Sequence, residues 1–406
     1  VRNGSKKMPS NIERQKALWQ KKIQVLENKV ITNNIHDYDW LLHNDHIRLI
    51  KNNDNKLLFI ETPFHLPHTD VPFDQISYFE NILQHIQEHL PNIKQGKTKL
   101  VYWFADAWGT VNAQETHKQY SGCLLALDLY NLLYQISKEA DILEHSVFVT
   151  GTSTNNVNQY KDWPIVYYNE PFNRYFSIGN DLKIRNRSFH KHFLWLNRRT
   201  RDHRLYALHQ AYKAKLFNNT KLTFHDFETN QDQYKNILKN YTNEIDLDFL
   251  NYRTNANILD SNYDIQNDDQ QRQTLLNLKH YADKCSIEIV SEYMGSDKKV
   301  FLTEKISRSI VMGKPFIVIG DKHMLKELQT LGFKTFDKFW NESYDELPTI
   351  KQRVDAVIKL AVDLSKSFKP AEGYDKHMID ILLYNQNHYF GAYKQSQLKA
   401  FKDIIK

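Results

Sequence analysis

Apolar runs and helical patterns take turns along most of this chain, and that alternation limits the fold more than any other feature. The clearest instance lies in the last third. "SIEIVSE" (286–292) has a strand pattern, a short amphipathic helix opens at Thr303, and "PFIVIG" (315–320) is wholly apolar. "KHMLKELQTLG" (322–332) then reads as a helix and "FKTF" (333–336) as a strand. The same rhythm runs through the first half. Strand candidates are "LLFIE" (57–61), "KLVYWFADA" (99–107), "SVFVTG" (146–151) and "PIVYYN" (164–169), and helical patterns occupy 73–90 and 122–138. Strands alternating with helices imply βαβ crossovers and parallel sheet. Near-continuous apolar strands are expected where helices cover both faces of such a sheet. The fold class is therefore α/β.

At 406 residues the chain is long enough for two or three domains. "NDLKIRNRSFHKH" (180–192) is polar and basic and reads as a linker. The expected division is an α/β domain over 1–190, a second over 191–370, and a helical tail over 371–406 able to pack back on the first. Residues 227–284, rich in Asn, Asp, Gln and Tyr, read as an insertion of helices and loops. In open parallel sheets, ligands bind outside the carboxyl ends of the strands. A cleft between two such domains is thus the expected place for a site.

Composition narrows the partners. Gly 12 and Pro 10 exclude collagen-like or Pro/Gly-rich disordered chains. No run of 18 apolar residues occurs, so no membrane span is expected. Cys123 and Cys285 stand far apart, with no disulfide framework and no zinc spacing. A reducing, cytoplasmic location follows as an expectation. The net charge of +6 suits a basic face for phosphate-bearing partners such as a nucleotide, an anionic glycan or nucleic acid.

The helix opening at Thr303 carries the sharpest local signal. Thr303 is a good N-cap, and Glu304 falls in the first turn, where the helix dipole favours a carboxylate. Glu304 is also spaced for an i,i+4 pair with Arg308. Gly313 should end the helix, and Pro315 should start the next strand without needing a hydrogen bond at its nitrogen. Lys305 is the exception, because a cation at a helix N-terminus works against the dipole. An anion sharing the site accounts for it. A diphosphate would accept from the N-terminal amides and from Lys305 together, while Glu304 accepts from ribose hydroxyls.

"FLTEKISRSIVMGKPFIVIG" (301–320) resembles the donor-binding signature of α1,3-fucosyltransferase-like glycosyltransferases. "LQTLGFKTFDKFWNESYDE" (328–346) is similar to a run that follows the triplet in phage and bacterial relatives. "FLWLNRRTRDHR" (193–204) resembles the start of their second domain. Together these stretches cover roughly the C-terminal half. The resemblance implies a GT-B fold: two Rossmann-like domains flanking a cleft, with the nucleotide-sugar held by the second. Carried onto this sequence, Glu304 binds ribose and Lys305 the diphosphate, with Thr303 and Asn197 in the same donor site. The family's phosphate-gripping arginine falls best on Arg204 and next on Arg201, although Arg198 and Arg199 crowd the same run. Glu292, before the triplet, is placed to face the sugar or to cap its loop. The donor would be GDP- or UDP-linked, and no tightly bound cofactor is implied.

Glycosyl transfer needs cations at the leaving diphosphate, a general base for the acceptor hydroxyl and a shielded centre. By analogy with the family, the base is a carboxylate of the first domain and the anomeric carbon inverts. Asp106, ending an aromatic-rich strand, is the leading candidate, with Glu61 and Glu170 as competitors. His65, His68 and Asp70 sit among prolines without a recognisable ligand spacing, and "IDLDF" follows no strand, so no essential metal is expected. The acceptor is expected to be a glycan, such as a lipopolysaccharide core, or a 5-hydroxymethylated base in phage DNA. A non-catalytic nucleotide-sugar or nucleic-acid binding module on the same fold is the alternative.

Overall fold

The computed structural model describes residues 47–52, 55–61, 75–104, 126–151, 162–178, 182–184, 188–197, 201–224, 231–252, 268–292 and 300–405. The chain divides into two compact units, residues 1–100 and 101–406. The division falls inside the third strand.

The first unit holds β1 (Ile47–Asn52), β2 (Asn55–Glu61) and α1 (Gln75–Lys94), and it ends within β3 (Thr98–Phe104). β1 and β2 form an antiparallel pair, Ile47 opposite Ile60 and Asn52 opposite Asn55. Leu57, Leu58 and Ile60 are buried, as are Ile82, Leu83 and Ile86 on α1.

The second unit continues with α2 (Ala126–Glu139), β4 (Ser146–Thr150), β5 (Ile165–Tyr167) and α3 (Glu170–Asn173). The first sheet has the order β1-β2-β3-β4-β5, and β4 and β5 run parallel. Every residue of β4 is buried, as expected for a strand covered on both faces.

The second sheet follows: β6 (Lys191–Asn197), α4 (Asp202–Lys213), β7 (Thr220–Phe224), α5 (Gln231–Lys239), α6 (Asp268–Ala282), β8 (Cys285–Ser291), α7 (Glu304–Met312) and β9 (Phe316–Ile319). Its order is β7-β6-β8-β9, with every pairing parallel. The crossover from β6 goes to one side, to β7, and the next crossover returns past β6 to β8. The direction of winding therefore reverses between β6 and β8. That is where an open parallel sheet leaves a crevice at its carboxyl edge.

Helices α8 (Met324–Thr330), α9 (Ile350–Ser367), α10 (Lys376–His388) and α11 (Lys394–Ile405) complete the chain, with a π turn at Tyr389–Tyr393 joining the last two. The inner faces of α8, α9 and α10 pack on one core with the second sheet, around Trp195, Phe193, Phe316 and Val354. The last helix is tied to residues near β5. Gln397 Oε1 accepts from Asn169 N at 3.3 Å and from Asn173 Nδ2 at 2.9 Å, all three residues being buried.

Three elements differ from the sequence reading. Residues 47–52 form β1, antiparallel to β2, where no strand is expected. Residues 333–336 form no strand. Their aromatic pattern comes from burial of Phe333 and Phe336, while side chains satisfy the backbone. Asn385 bonds both Lys334 N and Lys334 O at 2.8 Å, and Glu342 Oε1 accepts from Phe336 N at 2.8 Å. Conversely, "TKLTF" is the strand β7, hidden in the sequence by its polar residues. Thr220 Oγ1 donates to the Leu216 carbonyl and Thr223 Oγ1 accepts from Asn197 N, so both hydroxyls are satisfied inside the fold.

Candidate functional site

The carboxyl ends of β6 and β8 and the first turns of α4 and α7 meet at one edge of the second sheet. β6 ends at Asn197, β8 at Ser291, and Glu292 follows at once. Helix α7 starts as its sequence dictates. Thr303 is extended (φ −121°, ψ 179°), and its Oγ1 accepts from Lys305 N at 3.3 Å. Gly313 ends the helix at φ +64°, where a Cβ would lie 2.3 Å from Ile184 Cγ1, so the position requires glycine on two counts.

A hydrogen-bonded chain runs through the triplet. Thr303 Oγ1 donates to Glu292 Oε2 at 2.5 Å, and Thr303 N donates to Glu292 Oε1 at 3.2 Å. Lys305 Nζ donates to Thr303 Oγ1 at 3.1 Å and to Glu304 Oε1 at 2.8 Å. The Glu304 and Lys305 side chains are 18% and 19% exposed, whereas Glu292 is fully buried. The two carboxyl groups are pushed apart. Burial raises the pKa of Glu292, reinforced by the charge of Glu304. Burial would also raise Glu304, but the Lys305 charge and hydrogen bond, with the field of Arg174, hold it at about 2.

Helix α4 grips the same spot from the other side. The Glu292 carbonyl accepts from Arg204 Nη2 at 2.8 Å, Arg204 Nε at 3.3 Å and His203 Nε2 at 3.1 Å. Burial, then the neighbouring Arg204 charge, depresses the His203 pKa to about 3, so the ring is neutral and Nε2 carries the proton. Arg204 is 4% exposed and holds the end of β8; Arg201, the residue before α4, is partly exposed. Asn197 closes the group. It is 1% exposed, and neither Oδ1 nor Nδ2 has a hydrogen-bond partner among the described residues.

Thus Asn197, Arg201, Arg204, Glu292, Thr303, Glu304 and Lys305 all lie at this edge. Arg308 does not pair with Glu304. It turns inward to the fully buried Glu288, which also accepts from Ser309 Oγ at 2.7 Å. Glu288 is fully buried on the facing strand and has no other counter-charge among the described hydrogen bonds, whereas Glu304 already pairs with Lys305.

The candidate bases are less fully placed. Asp106 lies outside the described residues, as do Arg198, Arg199, His65, His68 and Asp70. Glu61 ends β2 and Glu170 opens α3, each placed by its backbone. The residue before Glu170 reaches the triplet: Asn169 Nδ2 donates to the Leu302 carbonyl at 3.0 Å. Asp246 and Asp248 form a local turn, Asp248 N donating to Asp246 Oδ1 at 2.8 Å. Among the described residues, no group of three His, Cys, Asp or Glu is placed to hold a metal ion, and no helix is long and apolar enough to cross a membrane. His203 and Arg174 were not singled out in the sequence. His203 lies inside the quoted arginine run, but nothing local marks a histidine that bonds a carbonyl 89 residues away.

The chain matches no protein-family model and no curated protein.

Proposed function

We propose that this chain is a glycosyltransferase of GT-B type. It takes a nucleoside-diphosphate sugar at the carboxyl edge of the second sheet and passes the sugar to an acceptor hydroxyl. The observation that carries the reading is Lys305. It is a cation set against a helix dipole, at a winding reversal, with two of its three N–H groups used by Thr303 and Glu304. The remaining N–H and the first-turn amides of α7 suit a diphosphate. Glu304, ionised over the whole working range, accepts from ribose hydroxyls. Arg201 is the accessible arginine for the same phosphates, and Arg204 fixes the strand end behind it.

In the reaction the acceptor oxygen attacks the anomeric carbon, and the bond to the diphosphate oxygen breaks. The nucleoside diphosphate leaves with both electrons of that bond, and a carboxylate takes the acceptor proton. Attack opposite the leaving group inverts the centre. Glu170 is the base to test first, because its backbone adjoins the residue that bonds Leu302. Asp106 and Glu61 follow. No step requires a metal. The acceptor is a glycan or a 5-hydroxymethylated base in DNA, and the enzyme works in the cytoplasm.

The test is release of nucleoside diphosphate from GDP- and UDP-linked sugars, with glycans or hydroxymethylated DNA as acceptors. Transfer by the parent should fall about 10²–10⁴-fold in Glu170→Gln if that residue is the base, and should be lost in Glu304→Ala. Absence of transfer with every pair, while nucleotide still binds, would favour a binding module instead. Transfer unchanged in Glu304→Ala would remove the proposed donor site.

A further inference from the structure

Asn197 has a carboxamide that no described residue bonds. It is the last residue of β6, 1% exposed, with both side-chain polar atoms unbonded among the described residues. Neighbouring polar groups are engaged elsewhere. Thr223 Oγ1 accepts from the backbone N–H of Asn197, and Ser291 Oγ accepts from Trp195 Nε1 at 2.7 Å. The β6–β8 register sets Trp195 beside Ile289, which brings Asn197 level with Ser291, one residue before Glu292. Asn197 therefore lies about one strand spacing, roughly 4.8 Å, from the strand that leads into the triplet's partner. This is the β6/β8 winding reversal.

A buried amide with donor and acceptor both unmet is costly, and a chain that needed only packing would place an aliphatic residue here. A ligand group that meets both atoms accounts for the residue. A phosphate does not, since it only accepts and would set negative charge against Oδ1. The fitting partner is uncharged and presents a donor and an acceptor side by side. In a nucleotide-sugar that description suits the edge of the base or a pair of sugar hydroxyls.

We propose that Asn197 is a specificity-determining residue that reads such an uncharged donor/acceptor pair, separately from the diphosphate contacts of Lys305. This rests on the donor-site reading above. It gives a signature that a structural asparagine would not show. Replacing a side chain that makes no hydrogen bonds should not destabilise the free protein, but should weaken the ligand.

The experiment compares the parent, Asn197→Leu and the isosteric Asn197→Asp by thermal unfolding without ligand and by calorimetric titration. The probes are GDP, UDP, their nucleosides, one GDP-sugar, one UDP-sugar and inorganic pyrophosphate. Expected is an unliganded melting temperature for Asn197→Leu equal to or above the parent's. Affinity for the preferred nucleotide or nucleotide-sugar should be at least tenfold weaker in both variants, and pyrophosphate binding unchanged. Weakening already seen with nucleosides assigns the base edge; weakening confined to nucleotide-sugars assigns the sugar hydroxyls. If the parent binds nucleotide and both variants bind it equally well, the Asn197 inference falls alone. A lower melting temperature for Asn197→Leu with unchanged affinity of Asn197→Asp also overturns it. If the parent binds no probe, the donor-site reading fails and this inference with it.

Discussion

The crossover β8–α7–β9 carries a lysine at each end, and the two are used in opposite ways. Lys314, at the amino end of the strands, is 3% exposed. Its ammonium donates to the Cys285 carbonyl at 2.6 Å and to Tyr374 Oη at 3.4 Å, and lies 4.4 Å from the Phe189 ring centre. Every one of those partners is neutral. Lys305, at the carboxyl end, is paired with a carboxylate and is partly open to solvent. Within the helix between them, Arg308 and Glu288 form an ion pair that is sealed on both sides, 4% and 0% exposed. Charge at the amino end and in the middle closes the structure. At the carboxyl end, charge collects beside an amide unmet among the described residues and an ammonium with two of its three N–H groups used. That asymmetry is what a ligand edge requires, and substitutions at the two ends should separate stability from binding.

The largest effect is expected inside the helix. Arg308→Met leaves Glu288 buried without its counter-charge and should cost about 3–5 kcal/mol in denaturant unfolding. A loss below about 1 kcal/mol would mean that the pair is not sealed. At the amino end, Lys314→Met keeps the aliphatic stem but removes two charge-assisted hydrogen bonds. It should cost about 1.5–3 kcal/mol and leave nucleotide binding intact. Equal loss of binding would erase the contrast between the ends.

At the carboxyl end, acid should act through His203 and Glu304. His203 is held at about 3 against an ordinary 6.5, so between those values the unfolded chain binds more protons than the folded one. Glu304, at about 2 against 4.5, has the same sign in its lower window. In both windows stability rises with pH, by up to about 1.4 kcal/mol per pH unit for each group. Glu292 opposes this, since burial raises its pKa and its contribution is lost as pH rises. Unfolding followed from pH 7 to 3 should therefore show a loss of stability that is shallower in His203→Gln. A slope unchanged in that variant would show that His203 is not held neutral.

The helix between the lysines was legible because its signals are local. Thr303 caps it, Gly313 ends it and Pro315 leads into β9, each by rules that act within a few residues. The choice of partner for Arg308 was not legible, since Glu288 is 20 residues away and becomes available only when β8 is laid under α7. The same holds for the clamp on the Glu292 carbonyl. The arginine run is visible in the sequence, but that Arg204 turns to a backbone oxygen while Arg201 stays partly exposed depends on how α4 is laid against the end of β8. β7 escaped notice because its threonines find partners only in the folded sheet. The unmet amide of Asn197 has no sequence signature, because it is defined by the neighbours that decline it.

The residue with the largest functional effect should matter less to stability than Arg308. Lys305→Ala breaks a pair whose side chains are only 19% and 18% exposed and should cost about 1–3 kcal/mol. The most direct test of the central claim is thermal unfolding of the parent and Lys305→Ala with GDP, UDP, CMP and ADP. At about 100 times its dissociation constant, one of these should stabilise the parent by roughly 2.7 kcal/mol, and Lys305→Ala should lose that gain, each protein being compared with its own unliganded melting temperature. No gain with any nucleotide, or an equal gain in both proteins, would make Thr303–Lys305 an ordinary capped helix start and contradict the assignment of a ligand to this edge.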